Sequence, residues 1–234
     1  NKGAHNVICD RSQPGALEQF KDSKFDAVID FSAYASDWVE EAGKFFAGKI
    51  SRYIFISTGA VYTSSQVFPI TEDFPKGPPH PFGPYAQEKI RSESLLREFS
   101  AQGSFDTTAL RLPFVLGPDN YEDRESFVFS RLLSNEPIFL ANGGKSIHSF
   151  IYAGDVADGI IKAYEQKLTQ PINLGSGTGV TIRQLAETLV DIYEEMYGKK
   201  VGIEWDSTKP NGDAKRLMST ERAESFGVIQ QVSL

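Results

Sequence analysis

The sequence predicts an α/β fold with a parallel sheet, and two observations support this prediction. Short segments rich in Val, Ile and Phe alternate with segments whose apolar residues recur at helical spacing. That alternation is typical of parallel strands joined by helices that cover the sheet. The composition agrees, because 234 residues of which 40% are hydrophobic and 24% charged can bury a sizeable core. Collagen, coiled-coil and disordered architectures are excluded.

The first elements follow this alternation in order. Residues 5–9 (HNVIC) predict a short buried strand, residues 14–20 predict a helix that begins at a proline, and residues 25–31 (FDAVIDF) predict a strong strand. Residues 36–46 predict a helix, because their large apolar side chains recur at core-like intervals. Residues 52–57 (RYIFIS) then predict the next strand.

The remaining elements are less regular. Residues 63–84 are rich in proline and predict a long loop, which is followed by a helix at 85–99 and a strand at 107–112. Further helices are predicted at 125–133, 156–164, 182–197 and 220–226, and strands near Ile138, Phe150 and Asn173 and at 201–205. We therefore expect residues 1–115 to form a parallel α/β layer and residues 116–234 to form mainly a smaller lobe interleaved with it.

Charge and composition narrow the classes of function. The net charge of −7 repels polyphosphate, so nucleic-acid binding is not expected. A single cysteine, Cys9, cannot form an internal disulfide, and His5, His80 and His148 have no metal-ligand spacing. No apolar run approaches the roughly 18 residues of a membrane-spanning helix. The expected protein is a soluble, cytoplasmic one without a metal site.

Tyr85 and Lys89 stand four residues apart at the start of a predicted helix, so their side chains share one face. A phenol has an ordinary pKa near 10, and a neighbouring ammonium favours the phenolate, which is the form that a general base needs. Chance alone supplies roughly half a match at this spacing in such a composition, so the pair by itself is weak evidence.

The context of the pair strengthens it. Ser57 and Thr58 lie at the end of a predicted parallel strand, where open α/β sheets bind their ligands. Gly59 and Ala60 are small enough for a substrate to approach the backbone. For an isolated Ser-Thr pair, however, an ordinary turn with local hydroxyl bonds is the simpler interpretation.

Five segments in order together resemble the extended short-chain dehydrogenase/reductase family, the group of NAD-dependent sugar epimerases and dehydratases. The segments are 55–62 (FISTGAVY), 83–89 (GPYAQEK), 110–118 (LRLPFVLGP), 150–157 (FIYAGDVA) and 172–177 (INLGSG). The resemblance extends over nearly the whole chain. It implies a Rossmann-type, doubly wound parallel sheet with a smaller C-terminal substrate lobe.

The resemblance also implies roles for individual residues. Thr58 would hold a substrate hydroxyl, Tyr85 would remove or return its proton, and Lys89 would favour the phenolate while holding the nicotinamide ribose of NAD or NADP. Residues 1–115 would be the NAD(P)-binding domain. The residues that would contact the cofactor are Asp10 at the adenine, Ser32, Ala33 and Tyr34 after a strand, Tyr85, Lys89, and Pro113, Phe114 and Val115 at the nicotinamide amide.

Departures from the family pattern limit the expected chemistry. The sugar 4,6-dehydratases carry an acidic pair where this chain has Gly59 and Ala60, so dehydration by that route is not expected. Many members have a phosphate-binding arginine just before the segment 150–157, where this chain has Ile-His148-Ser, and His148 is interpreted as structural. A nucleotide-sugar substrate therefore stays open. The positively charged Lys209, Lys215 and Arg216 lie in a Pro-Gly-Asp loop and are interpreted mainly as solvated.

The family's N-terminal Gly-x-x-Gly-x-x-Gly segment, which holds the cofactor pyrophosphate, does not precede His5. The glycine cluster at 175–179 is a poor substitute, because Thr181 and Gln184 after it form an ordinary capping box. We therefore expect the chain as given to lack the first βαβ unit of a protein nearer 300 residues long, on the family's usual length. The acidic or basic strand end that separates NAD from NADP is then also missing.

The predicted function is an NAD(P)-dependent epimerase or oxidoreductase that acts on a hydroxyl of a sugar or nucleotide-sugar-like substrate. The alternative is a non-catalytic cofactor-binding scaffold or an RNA-associated member of the same family. By the resemblance, helices 36–46 and 85–99 correspond to those that pair in family dimers, so a homodimer is expected.

Overall fold

The computed structural model describes residues 3–78, 83–120, 125–209 and 213–232. Its strands in chain order are β1 (Ala27–Asp30), β2 (Arg52–Thr58), β3 (Asp106–Leu112), β4 (Phe114–Leu116), β5 (Ile138–Ala141), β6 (Ile147–His148), β7 (Phe150–Tyr152), β8 (Ile172–Asn173), β9 (Val180–Thr181), β10 (Ile203–Asp206) and β11 (Lys215–Arg216). Its α-helices are α1 (Ser36–Phe46), α2 (Gly83–Ala101), α3 (Glu125–Leu133), α4 (Ala153–Glu165), α5 (Ile182–Tyr197) and α6 (Glu221–Ser225). His80, in the predicted loop, lies outside the described residues.

A parallel sheet with the strand order β1-β2-β3-β8 forms the centre of the described structure. Successive side chains of β2 point to opposite faces of this sheet. Tyr53 and Phe55 belong to the apolar cluster with α1 and α2, whereas Ile54 and Ile56 belong to the cluster with α4. Helices therefore cover both faces, which confirms the predicted Rossmann-type α/β architecture.

The later part of the chain adds short strands beside this sheet. β4 pairs with β7, β5 pairs with β10, and β6 lies between β9 and β11. The predicted capping box at the start of α5 is present, because the Thr181 side chain accepts from the Gln184 amide and the Gln184 side chain accepts from the Thr181 amide. The division of the chain at residue 115 stays a prediction.

The prediction of a buried strand at 5–9 is wrong. In the structure these residues are irregular, and Ile8 is 97% exposed. A strand exists only where a neighbour satisfies its backbone groups, and among the described residues β1 pairs with β2 alone. The predicted helix at 14–20 shortens to a 3₁₀ turn at Ala16–Phe20, because Gly15 adopts a left-handed conformation with φ of 75°.

A buried ion pair connects α2 to the sheet. Both side chains, Arg111 of β3 and Glu93 of α2, are 1% exposed. Arg111 donates from Nε to Oε1 of Glu93 at 2.9 Å and from Nη2 to Oε2 at 2.8 Å, a two-point contact. The same carboxylate accepts from Ser57 Oγ at 2.7 Å and from Lys76 Nζ at 2.8 Å. The helix that carries Tyr85 and Lys89 is thereby fixed to the strand that ends in Thr58.

The same arginine also holds the long proline-rich loop. Its Nη1 donates to the Tyr62 hydroxyl oxygen at 2.9 Å and to the Glu72 carbonyl at 2.8 Å. The Tyr62 hydroxyl donates in turn to Asn173 Oδ1 at 2.5 Å, and the Asn173 amide donates to Glu72 Oε1 at 2.8 Å. The loop is thus tied to both β3 and β8 by buried polar bonds.

Burial by itself raises the pKa of Glu93, but the hydrogen bonds and charges of Arg111 and Lys76 outweigh it and lower the pKa to about 2. Glu93 is therefore ionised throughout the neutral range. An ion pair buried in this way is costly to break, because removing one partner leaves the other charged and without water.

No helix in the described part of the chain has the combination of length and apolar character that a bilayer crossing requires.

We expect Arg111→Met to lower the free energy of unfolding by about 3–5 kcal/mol, because it leaves Glu93 and Tyr62 buried without their donor. Urea unfolding followed by circular dichroism measures the loss. Arg91→Met is the control, since Arg91 lies on α2 with Glu93 and its ion pair with Asp37 is exposed, with an N···O distance of 3.7 Å; this change should cost less than about 1 kcal/mol. Equal losses in the two variants would contradict the assigned role.

The pH dependence of stability gives a second test. Folding lowers the pKa of Glu93 from 4.5 to about 2, so its contribution is complete above pH 4.5 and is lost as the pH falls towards 2. The gap in unfolding free energy between the unchanged protein and Glu93→Gln should therefore narrow over this window. With Glu187→Gln, an exposed i,i+4 partner of Arg183, the gap should be small at every pH. A constant gap for Glu93→Gln would refute the assignment.

Candidate active site

A cleft with a volume of about 630 Å³ lies at the carboxyl ends of β2 and β3. One side is formed by the ends of these strands and by the first turns of α2, and the other by β6 and β11 of the later part of the chain. This position follows from the topology, because loops after neighbouring parallel strands diverge and leave a crevice.

Thr58 lies where β2 turns into a 3₁₀ turn at Gly59–Val61. Its Oγ1 accepts a hydrogen bond of 3.1 Å from the Ala60 amide, which caps the turn. Because the hydroxyl oxygen is the acceptor in this bond, its hydrogen can still be donated to a ligand in the cleft. The turn therefore presents Thr58 with a defined orientation.

Tyr85 and Lys89 lie one helical turn apart on α2 and both line the cleft. The Tyr85 ring is 39% exposed, whereas Lys89 is 3% exposed. The Lys89 ammonium lies 5.9 Å from the Tyr85 ring centre, 5.4 Å from that of Tyr34 and 4.7 Å from that of Phe55, and it donates to the Ile56 carbonyl at 2.8 Å. Aromatic faces and one carbonyl thus hold the ammonium at the floor of the cleft.

Burial lowers the pKa of Lys89 to about 8. The negative charges of Asp30 and Glu93 raise it, and the positive charge of Arg11 lowers it further. At neutral pH the amine therefore remains protonated, although it titrates much closer to neutrality than an exposed lysine does.

The opposite wall contains two buried polar atoms without partners. Among the described residues, His148 Nδ1 and Ser149 Oγ have no hydrogen-bond partner, and both residues line the cleft. Ser149 is 2% exposed, and burial lowers the pKa of His148, which favours the neutral imidazole. Unpaired buried polar groups are costly, so these atoms are suited to a polar group of a ligand.

Arg216 connects this wall to the end of β2. Its Nη1 donates to the Gly59 carbonyl at 2.7 Å, and its Nε donates to Asp213 at 2.8 Å. Nearby, Met218 packs so closely that a Cβ at Gly59 would lie 2.6 Å from the Met218 sulfur. The later part of the chain therefore contacts the strand end that carries Thr58. Arg216 is partly buried, and its interpretation as a solvated loop residue is wrong.

The structure brings most of the predicted site residues together. Those that line the cleft are Tyr34, Thr58, Tyr85, Lys89, Pro113, Phe114 and Val115. Three do not line it: Ala33 is fully buried, Ser32 lies beside Arg11, and Asp10 is exposed, with its carboxylate accepting from the Ser12 amide and hydroxyl.

Other residues that line the cleft were not predicted from the sequence. Phe31, Asn120 and Met218 line the cleft, and nothing in their sequence context indicates it. The buried ion pair between Arg111 and Glu93, which lies behind the cleft, could have been predicted from the sequence. An arginine inside an apolar strand needs a buried acid, and Glu93 follows Lys89 by four residues on the same face of α2.

In the described part of the chain, no cluster of His, Cys, Asp and Glu could hold a metal ion.

Comparisons with known proteins agree with this fold. The chain is 28% identical over 200 residues to a probable GDP-L-fucose synthase 1 of Oryza sativa subsp. japonica, a match that covers 80% of the chain. It spans 52% to 60% of the length of the first curated relatives it matches.

Two solved structures share the fold at lower identity. The UDP-N-acetylglucosamine 4-epimerase of Methanobrevibacter ruminantium M1 superposes with a TM-score of 0.81 at 23% identity, over 93% of this chain and 74% of that one. The UDP-glucuronic acid 4-epimerase of Bacillus cereus, solved in complex with UDP-glucuronic acid and NAD, gives 0.77 at 19% identity, over 96% of this chain and 76% of that one.

The model of the NAD dependent epimerase/dehydratase family matches residues 1–175, which is most of the chain. Those residues include β1 to β3, the first turns of α2 with Tyr85 and Lys89, and the cleft wall up to Ser149. The chain therefore belongs to the NAD-dependent epimerase/dehydratase family.

Proposed function

We propose that the cleft binds NAD or NADP beside a sugar-like substrate and catalyses epimerisation or oxidation at a carbon that bears a hydroxyl. The observation that carries this proposal is the convergence of Thr58, Tyr85 and Lys89 on one cleft at the carboxyl end of a parallel sheet. Family membership supports the nicotinamide cofactor, and the sugar-nucleotide enzymes among the relatives support the substrate class.

The residues of the cleft fit the nicotinamide half of such a cofactor. Residues 113–115, where β3 leads into β4, line the cleft with apolar side chains and backbone groups, and the rings of Tyr34 and Tyr85 also line it with centres 6.4 Å apart. The Lys89 ammonium offers donors to ribose hydroxyls. Lys89, Tyr85 and residues 113–115 would hold this half, and Asp10 is proposed for the adenine. The chemistry that a bound nicotinamide would supply is reversible hydride transfer with the substrate carbon.

Three side chains of the cleft bind the substrate hydroxyl and transfer its proton. Thr58 donates a hydrogen bond that orients this hydroxyl, and the Tyr85 phenolate takes its proton as the carbon is oxidised. The Lys89 ammonium, one helical turn away, stabilises the negative charge on the phenol oxygen. On reduction the proton returns from Tyr85 to the substrate oxygen. If the hydride were returned to the other face of the same carbon, the result would be epimerisation.

Elimination of water from the sugar would need a further acid and base at a neighbouring carbon. No carboxylate lines the described part of the cleft, and Gly59 and Ala60 follow Thr58 directly. We therefore favour an epimerase or reductase over a dehydratase.

The opposite wall of the cleft, which contains His148 and Ser149, would hold the part of the substrate that does not react. Among the described residues His148 Nδ1 and Ser149 Oγ have no hydrogen-bond partner, so both can bond to a ligand, whereas the Arg216 guanidinium beside them is paired with Asp213. A hydroxyl-rich sugar matches these uncharged hydrogen-bonding groups. The expected homodimer and the cytoplasmic location stay predictions.

Tyr85→Phe should abolish hydride transfer, with a loss of at least about 10²-fold, because the proton acceptor is gone while the ring remains. The measurement is the near-ultraviolet absorbance of reduced nicotinamide for net oxidation, and chromatographic separation of the epimers for epimerisation, with UDP-glucose, UDP-glucuronic acid and GDP-L-fucose as trial substrates. Tyr164→Phe is the matched control, since Tyr164 is 40% exposed, against 39% for Tyr85, but does not line the cleft. Full turnover by Tyr85→Phe would refute the proposal and favour a non-catalytic scaffold.

Ser149→Ala should raise KM about 5- to 10-fold with kcat nearly unchanged, because it removes one hydrogen bond to a part of the substrate that does not react. Ser36→Ala is the control. Its hydroxyl is also buried, and the described residues offer it no partner, but it lies outside the cleft. If both variants left KM unchanged, or if Ser149→Ala lowered only kcat, the substrate would not contact this wall as proposed.

A further inference from the structure

A second buried ionic cluster lies at the end of β1, and the proposed chemistry does not use it. The Asp30 carboxylate accepts from Arg11 Nη1 at 2.6 Å and from the Ser32 amide at 3.2 Å through Oδ1, and from the Tyr53 hydroxyl through Oδ2. Asp30 is 4% exposed. Three donors for one buried carboxylate indicate that it is held in one position.

This cluster is next to the site of Lys89. Asp30 stands opposite Phe55 in the β1–β2 register, and the Lys89 ammonium lies 4.7 Å from the Phe55 ring centre. Tyr53, which donates to Asp30, precedes Phe55 by two residues and faces the same apolar cluster. The acid at the strand end and the ammonium on α2 therefore approach the same part of the sheet.

The immediate surroundings of Lys89 supply little negative charge. Its ammonium contacts one carbonyl and the rings of Tyr34, Phe55 and Tyr85, none of which is a carboxylate. A buried ammonium without an opposing charge loses its proton readily.

The ionised groups that act on Lys89 are Asp30, Glu93 and Arg11. Asp30 raises the pKa of Lys89 more than Glu93 does, and Arg11 lowers it. Glu93 is already shared between Arg111 and Lys76. Asp30 is therefore the main source of the negative potential that keeps the amine protonated.

We propose that Asp30 is a positioning residue of the cleft, whose fixed carboxylate keeps the Lys89 ammonium charged and seated beside Tyr85, while Arg11 moderates this effect. The inference rests on the proposed role of Lys89. It also assigns a role to Arg11, which lies in an irregular segment. The positive charge of Arg11, paired with Asp30, offsets part of the negative charge that acts on Lys89.

A structural role makes a different prediction. Arg11 also donates to the Trp38 carbonyl at 2.9 Å, so the cluster anchors the segment before β1. If anchoring were its whole role, removing either charge would disturb Lys89 in the same direction or not at all. Under the proposal the two charges act with opposite sign, because one attracts a proton to Lys89 and the other repels it.

The experiment is a pH titration of the Lys89 side chain by nuclear magnetic resonance in protein labelled with ¹³C-lysine. The Lys89 signal is assigned by its loss in Lys89→Met. Asp30→Asn should move the midpoint down by about one pH unit, and Arg11→Gln should move it up. Arg11→Lys, which keeps the charge, should leave it nearly unchanged. Asp37→Asn, at an exposed position of α1, is the control for removing a remote acid.

A lower midpoint in Asp30→Asn together with a higher one in Arg11→Gln would support the proposal, and the reverse pair of displacements would contradict it. An unchanged midpoint in Asp30→Asn, or displacements of the same sign, would overturn it. If Asp30→Asn does not fold, Arg11→Gln decides alone, since only an upward displacement agrees with the proposal. The titration needs no substrate or turnover, so a failed proposal for Lys89 is distinguishable from a failed proposal for catalysis by Tyr85→Phe.

Discussion

The two-point contact between Arg111 and Glu93 is the interaction on which the arrangement of the molecule depends. A buried ion pair is stable only if its polar atoms have hydrogen-bond partners, and here every nitrogen of Arg111 and both oxygens of Glu93 have at least one. The partners come from β2, from α2 and from the proline-rich loop. A single guanidinium thus determines where α2 lies on the sheet, and with it where Tyr85 and Lys89 face Thr58. The same bonds explain how a long irregular segment is held in an ordered structure.

Much of the fold could be predicted from the sequence, because its main signal is periodic. The predicted bounds of α1, α3 and α5 agree with the structure, since each helix has a clear apolar stripe or a recognisable cap. The strand at 5–9 was predicted on composition alone, and composition does not supply the neighbouring strand that a buried apolar segment needs. The proposed catalytic residues Thr58, Tyr85 and Lys89 were predicted from the spacing of the Tyr-Lys pair, its context and the resemblance to the family.

The rest of the site depends on contacts between residues far apart in the chain. His148 and Arg216 stand opposite each other in the β6–β11 register, a pairing that no local pattern encodes. In the sequence, Asp30 is a single acid at the end of an apolar strand. Its hydrogen-bond donors Arg11 and Tyr53 come from other segments of the chain and are not indicated by any local pattern. Residue types that chemistry requires are visible in a sequence, whereas the groups that set their charge and orientation are visible only after folding.

The close approach of Gly59 and Met218 has a consequence for how related sequences can diverge. A side chain at position 59 would overlap the end of the Met218 side chain, so the flexible thioether has to move aside to admit it. A larger residue at position 59 therefore needs either a displaced or a smaller side chain at position 218. Where relatives carry a larger residue immediately after the hydroxyl that corresponds to Thr58, the two positions are expected to vary as a pair. New chemistry at this strand end would then also change the opposite wall of the cleft.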